Sequence, residues 1–243
     1  RLPFDRDISR SRVCETTMAL TLYADLFSQP SRALYILLKT CKIPFEMKTL
    51  SLTKREHLQP EYEKIHPFKK VPAIVHNDFK LIESVAITRY LSREFNIPEH
   101  WYPKDSKSQA KVDEFLEWQH LNTRLHCASY FLVLNPMIRG TPAKPEKVAV
   151  HEKRVSECLD VMEKVWLKNK DFVTGSEISV ADLFGTCEIE QVRMGGYDPR
   201  KNRPILAAWM QRVEEKTQPF YREAHAMLYK MEEKAKQKFA SNL

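Results

Sequence analysis

Residues 20–42 read LTLYADLFSQPSRALYILLKTCK, and the spacing of the apolar residues changes once within this stretch. Leu20 to Tyr23 have the character of a short strand, whereas the segment from Ser31 to Lys42 has the periodicity of a helix. Pro30 suits the first helical turn, where its missing N–H is not needed for a hydrogen bond. The stretch therefore predicts a strand, a polar loop and a helix that begins near Pro30.

The residues that follow continue this alternation of strands and helices. The predicted elements are strand 45–50, polar helix 54–65, strands 73–75 and 79–81, and helix 84–95. Asn77-Asp78, between the two short strands, is a turn signal. The order strand, helix, strand, helix, strand, strand, helix is typical of an α/β domain of the thioredoxin kind. We assign it to residues 18–97.

Beyond residue 104 every periodic segment is helical. The predicted helices are 108–131, 146–167, 180–191, 205–216 and 220–239. Ser179-Val-Ala-Asp182 has the spacing of a capping box, with aspartate in place of the usual glutamate. We therefore expect an all-α helical bundle domain over residues 105–243, joined through a linker at 98–104. Residues 1–17 are expected to be a disordered extension that precedes a natural start at Met18. An organellar transit peptide is the weaker alternative, because Asp5, Asp7 and Glu15 oppose it.

The composition argues against several classes of function. The chain has 5 glycines and lacks both GxGxxG and GxxxxGK[ST], so neither a dinucleotide-binding turn nor a P-loop is predicted. The net charge is +7, but basic and acidic residues are mixed along the chain, and this pattern does not indicate nucleic-acid binding. The apolar runs are too short to cross a membrane. The 5 cysteines form no CxxC pair and the histidines form no HExxH motif, so no metal site is predicted. Widely spaced cysteines, odd in number, suit a reducing compartment, so the cytoplasm is the expected location.

Ser28 stands in the loop before the first predicted helix. Backbone N–H groups and the helix dipole favour an anion at such a position. A hydroxyl there can donate a hydrogen bond to a thiolate and keep a thiol ionised near neutral pH, whereas a free thiol titrates at about 8.5. The alternative interpretation is that Ser28 only caps the helix.

Lys70-Val71-Pro72 brings a proline into a predicted strand. Such a proline cannot donate to a sheet and belongs at an edge or in a special turn, where a cis peptide bond fits. The backbone of Val71 is then free to pair with an extended peptide ligand, as an added strand would. The alternative is an ordinary edge proline.

Glu83-Ser84 directly precedes a predicted helix. Ser84 is a candidate N-cap, the free N–H groups beside it suit a carboxylate, and Glu83 can meet an ammonium group. His57 and Lys70 are groups that can hold another carboxylate. Taken alone, the Glu83-Ser84 pair also reads as a simple cap, and His57 and Lys70 also read as solvated surface residues.

Together these segments resemble the glutathione transferase superfamily, and within it the theta class most closely. The matching strings are Asp25-Leu-Phe-Ser-Gln-Pro-Ser-Arg32, Lys69-Lys-Val-Pro-Ala-Ile74, Glu83-Ser-Val-Ala-Ile87, Trp101-Tyr-Pro103, Trp118-Gln-His120 and Ile178-Ser-Val-Ala-Asp-Leu183. They occur in the family's order and at its spacing. The resemblance implies a thioredoxin-like glutathione-binding domain, an all-helical domain for the second substrate, and a homodimer.

The resemblance also implies roles for individual residues. Ser28 matches the serine that stabilises the glutathione thiolate, and it is the predicted catalytic residue. Three contacts with glutathione are implied. The glycyl carboxylate end would meet His57, Leu58 and Lys70, and the cysteinyl group would pair with the backbone of Val71. The γ-glutamyl end would meet Glu83 and Ser84.

Three further residues have weaker assignments. Arg124 matches a theta-class arginine near the substrate cavity, so it is a candidate on the side of the second substrate. Arg32 is a candidate on that side too and could orient the thiolate or the helix start, although a structural ion pair is the favoured role. Tyr23 is disfavoured as a rival thiol activator because it lies inside the first predicted strand.

The predicted function is the conjugation of glutathione thiolate to small hydrophobic electrophiles. The resemblance favours alkyl and aralkyl halides, epoxides and organic hydroperoxides, with a role in detoxification. Glutathione is a co-substrate in this reaction, which needs no metal. The alternative is a non-catalytic glutathione-transferase-like module used for binding or as a scaffold.

Overall fold

The computed structural model of the protein describes residues 19–134, 141 and 143–240. The expected N-terminal extension over residues 1–17 lies outside this part of the chain. Four strands form one mixed sheet in the order β2-β1-β3-β4. They are β1 (Leu20–Ala24), β2 (Glu46–Thr49), β3 (Ala73–His76) and β4 (Phe79–Ile82).

The register of the sheet brings several chain segments to one of its ends. β1 pairs parallel with β2 and antiparallel with β3, and β3 pairs antiparallel with β4. Tyr23 stands opposite Ala73, and Ala73 stands opposite Ile82. The carboxyl end of β1, the start of β3 and the end of β4 therefore lie side by side, and the carboxyl end of β2 joins them because β2 runs parallel to β1.

The helices of this α/β unit are α1 (Gln29–Thr40), α2 (Pro60–Glu63) and α3 (Ser84–Glu94). The prediction of one helix over 54–65 is wrong. Its place is taken by a 3₁₀ turn at Glu56–Leu58 and the short α2. Pro60 causes the break, since a proline begins a helix but pushes the preceding residue out of the helical region, and Gln59 is extended with φ −69° and ψ 147°.

The second part of the described chain is helical, which confirms the predicted fold class. Its helices are α4 (Ser106–Gln119), α5 (Leu125–Leu134), α6 (Pro145–Val161), α7 (Val180–Glu190), α8 (Pro204–Thr217) and α9 (Phe220–Ala240). Two predicted continuous helices are interrupted by π turns, His120–Arg124 between α4 and α5 and Met162–Trp166 after α6. Among the described residues no helix is both long and apolar enough to cross a membrane.

α7 is buried along its whole length and lies at the centre of the helical part. Asp182 in its first turn accepts hydrogen bonds from the backbone N–H groups of Ser179 and Val173, both at 2.8 Å, which confirms the predicted capping box. Trp209 Nε1 on α8 donates to the same carboxylate at 2.8 Å. A Cβ at Gly185 would lie 3.2 Å from the Trp209 ring, so this glycine allows the close approach of α8.

α1 connects the sheet to the helical part. Leu34 and Leu38 pack in one cluster with Leu22 of β1, whereas Ala33 and Leu37 belong to the larger cluster formed with the helices. Because α1 contributes to both clusters, its position relative to the sheet and to the helices is determined by apolar packing on both sides.

Arg32 on α1 is fully buried. Its guanidinium donates to the carbonyl oxygens of Leu26 at 3.0 Å and Phe27 at 3.3 Å, and also to the carbonyl of Cys187 at 2.9 Å and to Gln191 Oε1 at 2.7 Å. The predicted ion pair is therefore wrong: these hydrogen-bond acceptors are neutral oxygens. Arg32 ties the loop before α1 to the end of α7.

We expect Arg32→Met to lower the free energy of unfolding by about 3 kcal/mol or more, because the buried carbonyl groups would lose their donor. Urea denaturation followed by circular dichroism measures this. Arg212→Met is a matched control, since Arg212 also donates to a backbone carbonyl, that of Asp171, but at the surface. Its effect should stay within about 0.5 kcal/mol. Equal losses in the two variants would contradict the role given to Arg32.

Candidate active site

The segments that carry the predicted site residues meet at the end of the sheet described above. The loop after β1 carries Ser28, and the segment after β2 carries His57. Val71 precedes β3, and Glu83 follows β4. The sheet register therefore brings together residues that are up to 55 positions apart in sequence, as Ser28 and Glu83 are (83 − 28 = 55).

Ser28 occupies the N-cap position of α1 with an extended backbone, φ −86° and ψ 129°, and its side chain makes no capping hydrogen bond. Its own N–H donates to the carbonyl of Asp25 at 2.9 Å, so the backbone of the loop is held in place. No acidic residue lies in the first turn of α1. The hydroxyl is therefore left for another partner beside a helix N-terminus that favours negative charge.

Asp25 shapes this loop, and it is not among the predicted site residues. Its carboxylate accepts the N–H of Phe27 at 2.9 Å and the N–H of Leu52 at 2.8 Å. The first bond shapes the loop that carries Ser28, and the second fastens this loop to the segment that leads to His57. An aspartate two residues before the amide that it binds is an Asx turn, a signal that the string Asp25-Leu-Phe contains.

His57 is half-buried within the 3₁₀ turn, and its Nδ1 is buried with no hydrogen-bond partner among the described residues. Burial lowers the pKa of His57, the cation of Arg55 lowers it further, and Asp25 offsets only part of this. The ring is therefore neutral at pH 7 and carries one N–H donor. Leu58 beside it is half-buried, and Lys70 is an exposed cation. A neutral donor and a cation are groups that suit a carboxylate.

The Val71-Pro72 peptide bond is cis, as the sequence suggested. Tyr62 Oη donates to the carbonyl of Lys70 at 2.6 Å, which holds the backbone just before this bond. Within the described ranges, the N–H and C=O of Val71 take part in no backbone hydrogen bond. They are available to pair with the backbone of an extended ligand.

Glu83 is exposed and has a left-handed backbone, φ 66° and ψ 109°. A positive φ at a residue other than glycine is strained and is often found at binding sites. The prediction that Ser84 is the N-cap is wrong, because α3 begins at Ser84 and the first helical bond runs from Ile87 N–H to the Glu83 carbonyl. The Glu83 side chain makes no cap bond, so its carboxylate and the N–H groups of the first turn of α3 remain for a ligand.

The π turn at His120–Arg124 lies close enough to Glu83 for their charges to interact. Burial and the cation of Arg124 lower the pKa of His120, whereas the carboxylates of Glu117 and Glu83 act in the opposite direction. Because Glu83 influences His120, the π turn of the helical part lies within electrostatic reach of the end of β4. π turns occur frequently at functional sites.

Arg124 is connected to the Ser28 loop through α7. Its Nη1 donates to Glu188 Oε1 at 2.8 Å. The neighbouring residue Cys187 accepts from Arg32, which holds the two carbonyls before Ser28. Arg124 is partly exposed, whereas Arg32 is enclosed and both of its terminal nitrogens, Nη1 and Nη2, donate to acceptors within the fold.

The described cysteines do not offer a nucleophile. Burial raises the pKa of Cys41, Cys158 and Cys187 to about 12 and that of Cys127 well above the usual value. These thiols stay protonated near pH 7. In the same part of the chain, no group of three or more His, Cys, Asp or Glu side chains is placed to hold a metal ion. The site thus provides donors and a helix N-terminus for an anion that a ligand would bring.

Two family models match the chain. The model described as "Glutathione S-transferase, N-terminal domain" matches residues 18–93, and the one described as "Glutathione S-transferase, C-terminal domain" matches residues 120–217. Glutathione S-transferase theta-1 of Bos taurus is 43% identical over 216 residues, 88% of this chain and 90% of the bovine protein. Glutathione S-transferase theta-1 of Homo sapiens is 41% identical over 216 residues, with the same coverage of the two chains.

Solved structures agree with these relatives. The apo form of human glutathione-S-transferase T1-1 has a TM-score of 0.84 and 39% identity, with 88% of this chain and 91% of the human chain covered. Human glutathione transferase theta-2, solved in complex with glutathione and an unknown ligand, has a TM-score of 0.85 and 36% identity, with 90% and 91% covered.

Proposed function

This chain belongs to the glutathione S-transferase family and is a theta-like glutathione transferase, and we propose that it joins the thiolate of glutathione to small hydrophobic electrophiles such as alkyl and aralkyl halides and epoxides. The observation that carries the proposal is the Ser28 hydroxyl, which lies at the N-terminus of α1 without a capping bond. A non-catalytic module has no need of a hydroxyl kept available at this position.

In the proposed reaction the thiol of glutathione first loses its proton to solvent. The Ser28 hydroxyl donates a hydrogen bond to the resulting thiolate, and the N–H groups at the start of α1 stabilise the same charge. The sulfur then attacks the electrophilic carbon, a C–S bond forms, and the leaving group departs with its electron pair. The enzyme increases the rate by raising the fraction of thiolate at pH 7 and by holding the two reactants in contact.

The rest of glutathione is proposed to lie along the sheet end. Its glycyl carboxylate would meet His57, Leu58 and Lys70, and its cysteinyl backbone would pair with Val71. Its γ-glutamyl end would bind Glu83 through the ammonium group and the start of α3, at Ser84, through the carboxylate. The unpartnered Nδ1 of His57 and the unpaired backbone of Val71 support this placement.

The electrophile is proposed to bind on the helical side of Ser28. Phe27 is half-buried, and its ring meets that of Phe131 edge-on with the centroids 5.3 Å apart, beside Leu228. These apolar side chains next to the thiolate position favour a hydrophobic electrophile. Arg124 is the proposed cationic residue on this side. Arg32 is not, because its guanidinium is engaged within the fold.

A homodimer is proposed from an apolar face of the π turn and α5. Leu121, Leu125 and Leu132 are 74%, 47% and 45% exposed, and their spacing of four and seven residues places them on one side of a helix. Exposed apolar faces of this kind are typical of protein interfaces. The proposal includes a cytoplasmic location and a role in detoxification, which the free thiols of the described cysteines support.

We expect Ser28→Ala to lower kcat by about 100-fold or more with an aralkyl halide, because the thiolate loses its hydrogen-bond donor. The pH dependence of kcat/KM should move toward the pKa of free glutathione. Ser31→Ala is the matched control, because Ser31 lies three residues after Ser28 and its buried hydroxyl has no hydrogen-bond partner. This variant should leave kcat unchanged. Full activity of a folded Ser28→Ala protein would exclude the catalytic role, and no turnover by the unaltered protein with any halide or hydroperoxide would favour the binding module.

Binding of S-methylglutathione, which has no thiol proton, should tighten as the pH falls from 7.5 to 5.5. The pKa of His57 is lowered in the free protein, and a bound carboxylate would raise it, so binding takes up a proton. Isothermal titration calorimetry at several pH values gives the slope of log Kd against pH, and His57→Gln should abolish this slope. His126→Gln is the control, because burial also lowers the pKa of His126, on α5. A slope that persists in His57→Gln would show that another group responds.

Leu121→Asp combined with Leu125→Asp should convert a dimer into a monomer, because two charges would be buried at the interface. Analytical ultracentrifugation measures the mass. Val165→Asp places the same charge at another exposed apolar position and should leave the assembly intact. The leucine face would not be the interface if the double variant sedimented as the unaltered protein does.

A further inference from the structure

The segment that leads from β2 to His57 is held mainly by polar contacts. Residues 50–60 are half-buried or exposed, and no residue of the 3₁₀ turn that contains His57 is buried. Arg55, directly before the turn, has a left-handed backbone with φ 60° and ψ 26°. Apolar packing therefore contributes little to the position of the His57 ring, and the hydrogen bonds of the segment determine where the ring lies.

Two carboxylates bind successive amides of this segment. The N–H of Ser51 donates to Glu56 Oε2, and the N–H of Leu52 donates to Asp25 Oδ2, both at 2.8 Å. The N–H of Glu56 donates back to the carbonyl of Ser51 at 3.1 Å, which closes the segment on itself just before the turn. Side-chain carboxylates, and not further sheet pairing, thus hold the chain where β2 ends.

Asp25 divides its two oxygens between the two sides of the proposed glutathione site. Oδ1 accepts the N–H of Phe27, the residue before Ser28. Oδ2 accepts the N–H of Leu52, which lies on the way to His57. Burial lowers the pKa of His57 most, and the charge of Asp25 offsets part of this, so the carboxylate lies within electrostatic reach of the ring. An asparagine has a single acceptor oxygen and would leave one of the two N–H groups without its partner.

We infer that Asp25 is a positioning residue that couples the glycyl end of bound glutathione to the ionisation of its thiol. The inference rests on the proposed function, in which His57 meets the glycyl carboxylate and Ser28 meets the sulfur. A carboxylate bound at His57 restricts the motion of the segment that carries it. The bond between Leu52 and Asp25 extends this restriction to the loop after β1, so the Ser28 hydroxyl points at the sulfur for a larger fraction of the time.

This coupling makes the glycyl carboxylate part of the specificity for the thiol substrate. A thiol peptide without that carboxylate can still bind at Val71 and Glu83 in the proposed placement, but it restricts the His57 segment less. Its sulfur is then stabilised less as a thiolate at the same pH. The enzyme therefore discriminates against such a thiol in kcat as well as in KM.

The charge of Asp25 acts on the thiol in the direction opposite to its positioning role. A negative charge near the sulfur disfavours the thiolate, so removal of the charge alone would lower the pKa of the bound thiol. Loss of the positioning bond would instead raise this pKa, because the thiolate would lose the hydrogen bond from Ser28 for part of the time. The sign of the shift in Asp25→Asn therefore separates the two effects.

The experiment uses the full chain and compares glutathione with its glycyl amide, in which a neutral carboxamide replaces the glycyl carboxylate. Thiolate absorbance in the ultraviolet, followed during a pH titration, gives the pKa of the bound thiol, and benzyl chloride is the electrophile for kcat. In the unaltered protein, the amide should have a higher pKa for the bound thiol and a kcat lower by about 10-fold. Asp25→Asn should produce the same two changes with glutathione and no additional change with the amide.

Three further variants make the test independent of any loss of stability in Asp25→Asn. Glu56→Ala removes the acceptor of the Ser51 N–H without altering the loop after β1, and it should also lower kcat with glutathione. Glu56→Gln keeps one acceptor oxygen and should behave as the unaltered protein does. Asp198→Asn is the matched control, because Asp198 accepts the N–H two residues later at 3.0 Å in an exposed loop. It should change neither the pKa of the bound thiol nor kcat.

Several results would overturn the inference. Additive losses from Asp25→Asn and from the amide would show that Asp25 does not couple the two ends of glutathione. An unchanged or lowered pKa of the bound thiol in Asp25→Asn would exclude the positioning role, and an unchanged kcat in Glu56→Ala would exclude the path through the His57 segment. All of these would leave the proposed function intact. Absence of turnover by the unaltered protein with glutathione and benzyl chloride would refute the proposed function and the inference together.

Discussion

The buried guanidinium of Arg32 is the interaction on which the arrangement of the site depends. It binds the two carbonyl groups that precede Ser28 on one side and the end of α7 on the other. A long cation without water must find several acceptors, and the acceptors here come from two parts of the chain that are 155 residues apart. The requirement to satisfy this one side chain therefore constrains the loop, α1 and α7 to a single relative position.

The proposed capacity of the site to bind an anion follows from that constraint. Asp25 holds the same loop from the other side, so the backbone around Ser28 is bound on both flanks and its hydroxyl is not needed as a cap. The strained backbone at Glu83 likewise turns the chain from β4 directly into α3. Both helices thus present their first N–H groups at the same end of the sheet, where Val71 also has an unpaired backbone.

Much of this arrangement could be predicted from the sequence, because the alternation of strand and helix periods is a strong local signal. The cis bond before Pro72 is one of two interpretations of that proline, and the structure decides between them. The break of the predicted 54–65 helix at Gln59 is caused by Pro60. This proline is visible in the sequence, but the helical spacing of the residues around it outweighed it in the prediction. The π turn at His120–Arg124 has no signal in a pattern of apolar residues. The partners of Arg32 and Glu188 depend on contacts far along the chain, so tertiary packing, and not local sequence, decides whether a charged residue is paired with an ion or with carbonyl groups.

Main-chain groups form much of one part of the proposed site and side chains form the other, and this difference affects how substitutions alter substrate specificity. Much of the proposed glutathione site consists of main-chain groups, namely the backbone of Val71 and the first turns of α1 and α3, which most substitutions preserve. The proposed site for the electrophile consists instead of side chains, such as those of Phe27, Phe131 and Arg124. Mutation can therefore alter which electrophile is accepted while the recognition of glutathione persists, and the fold keeps the two specificities separately evolvable.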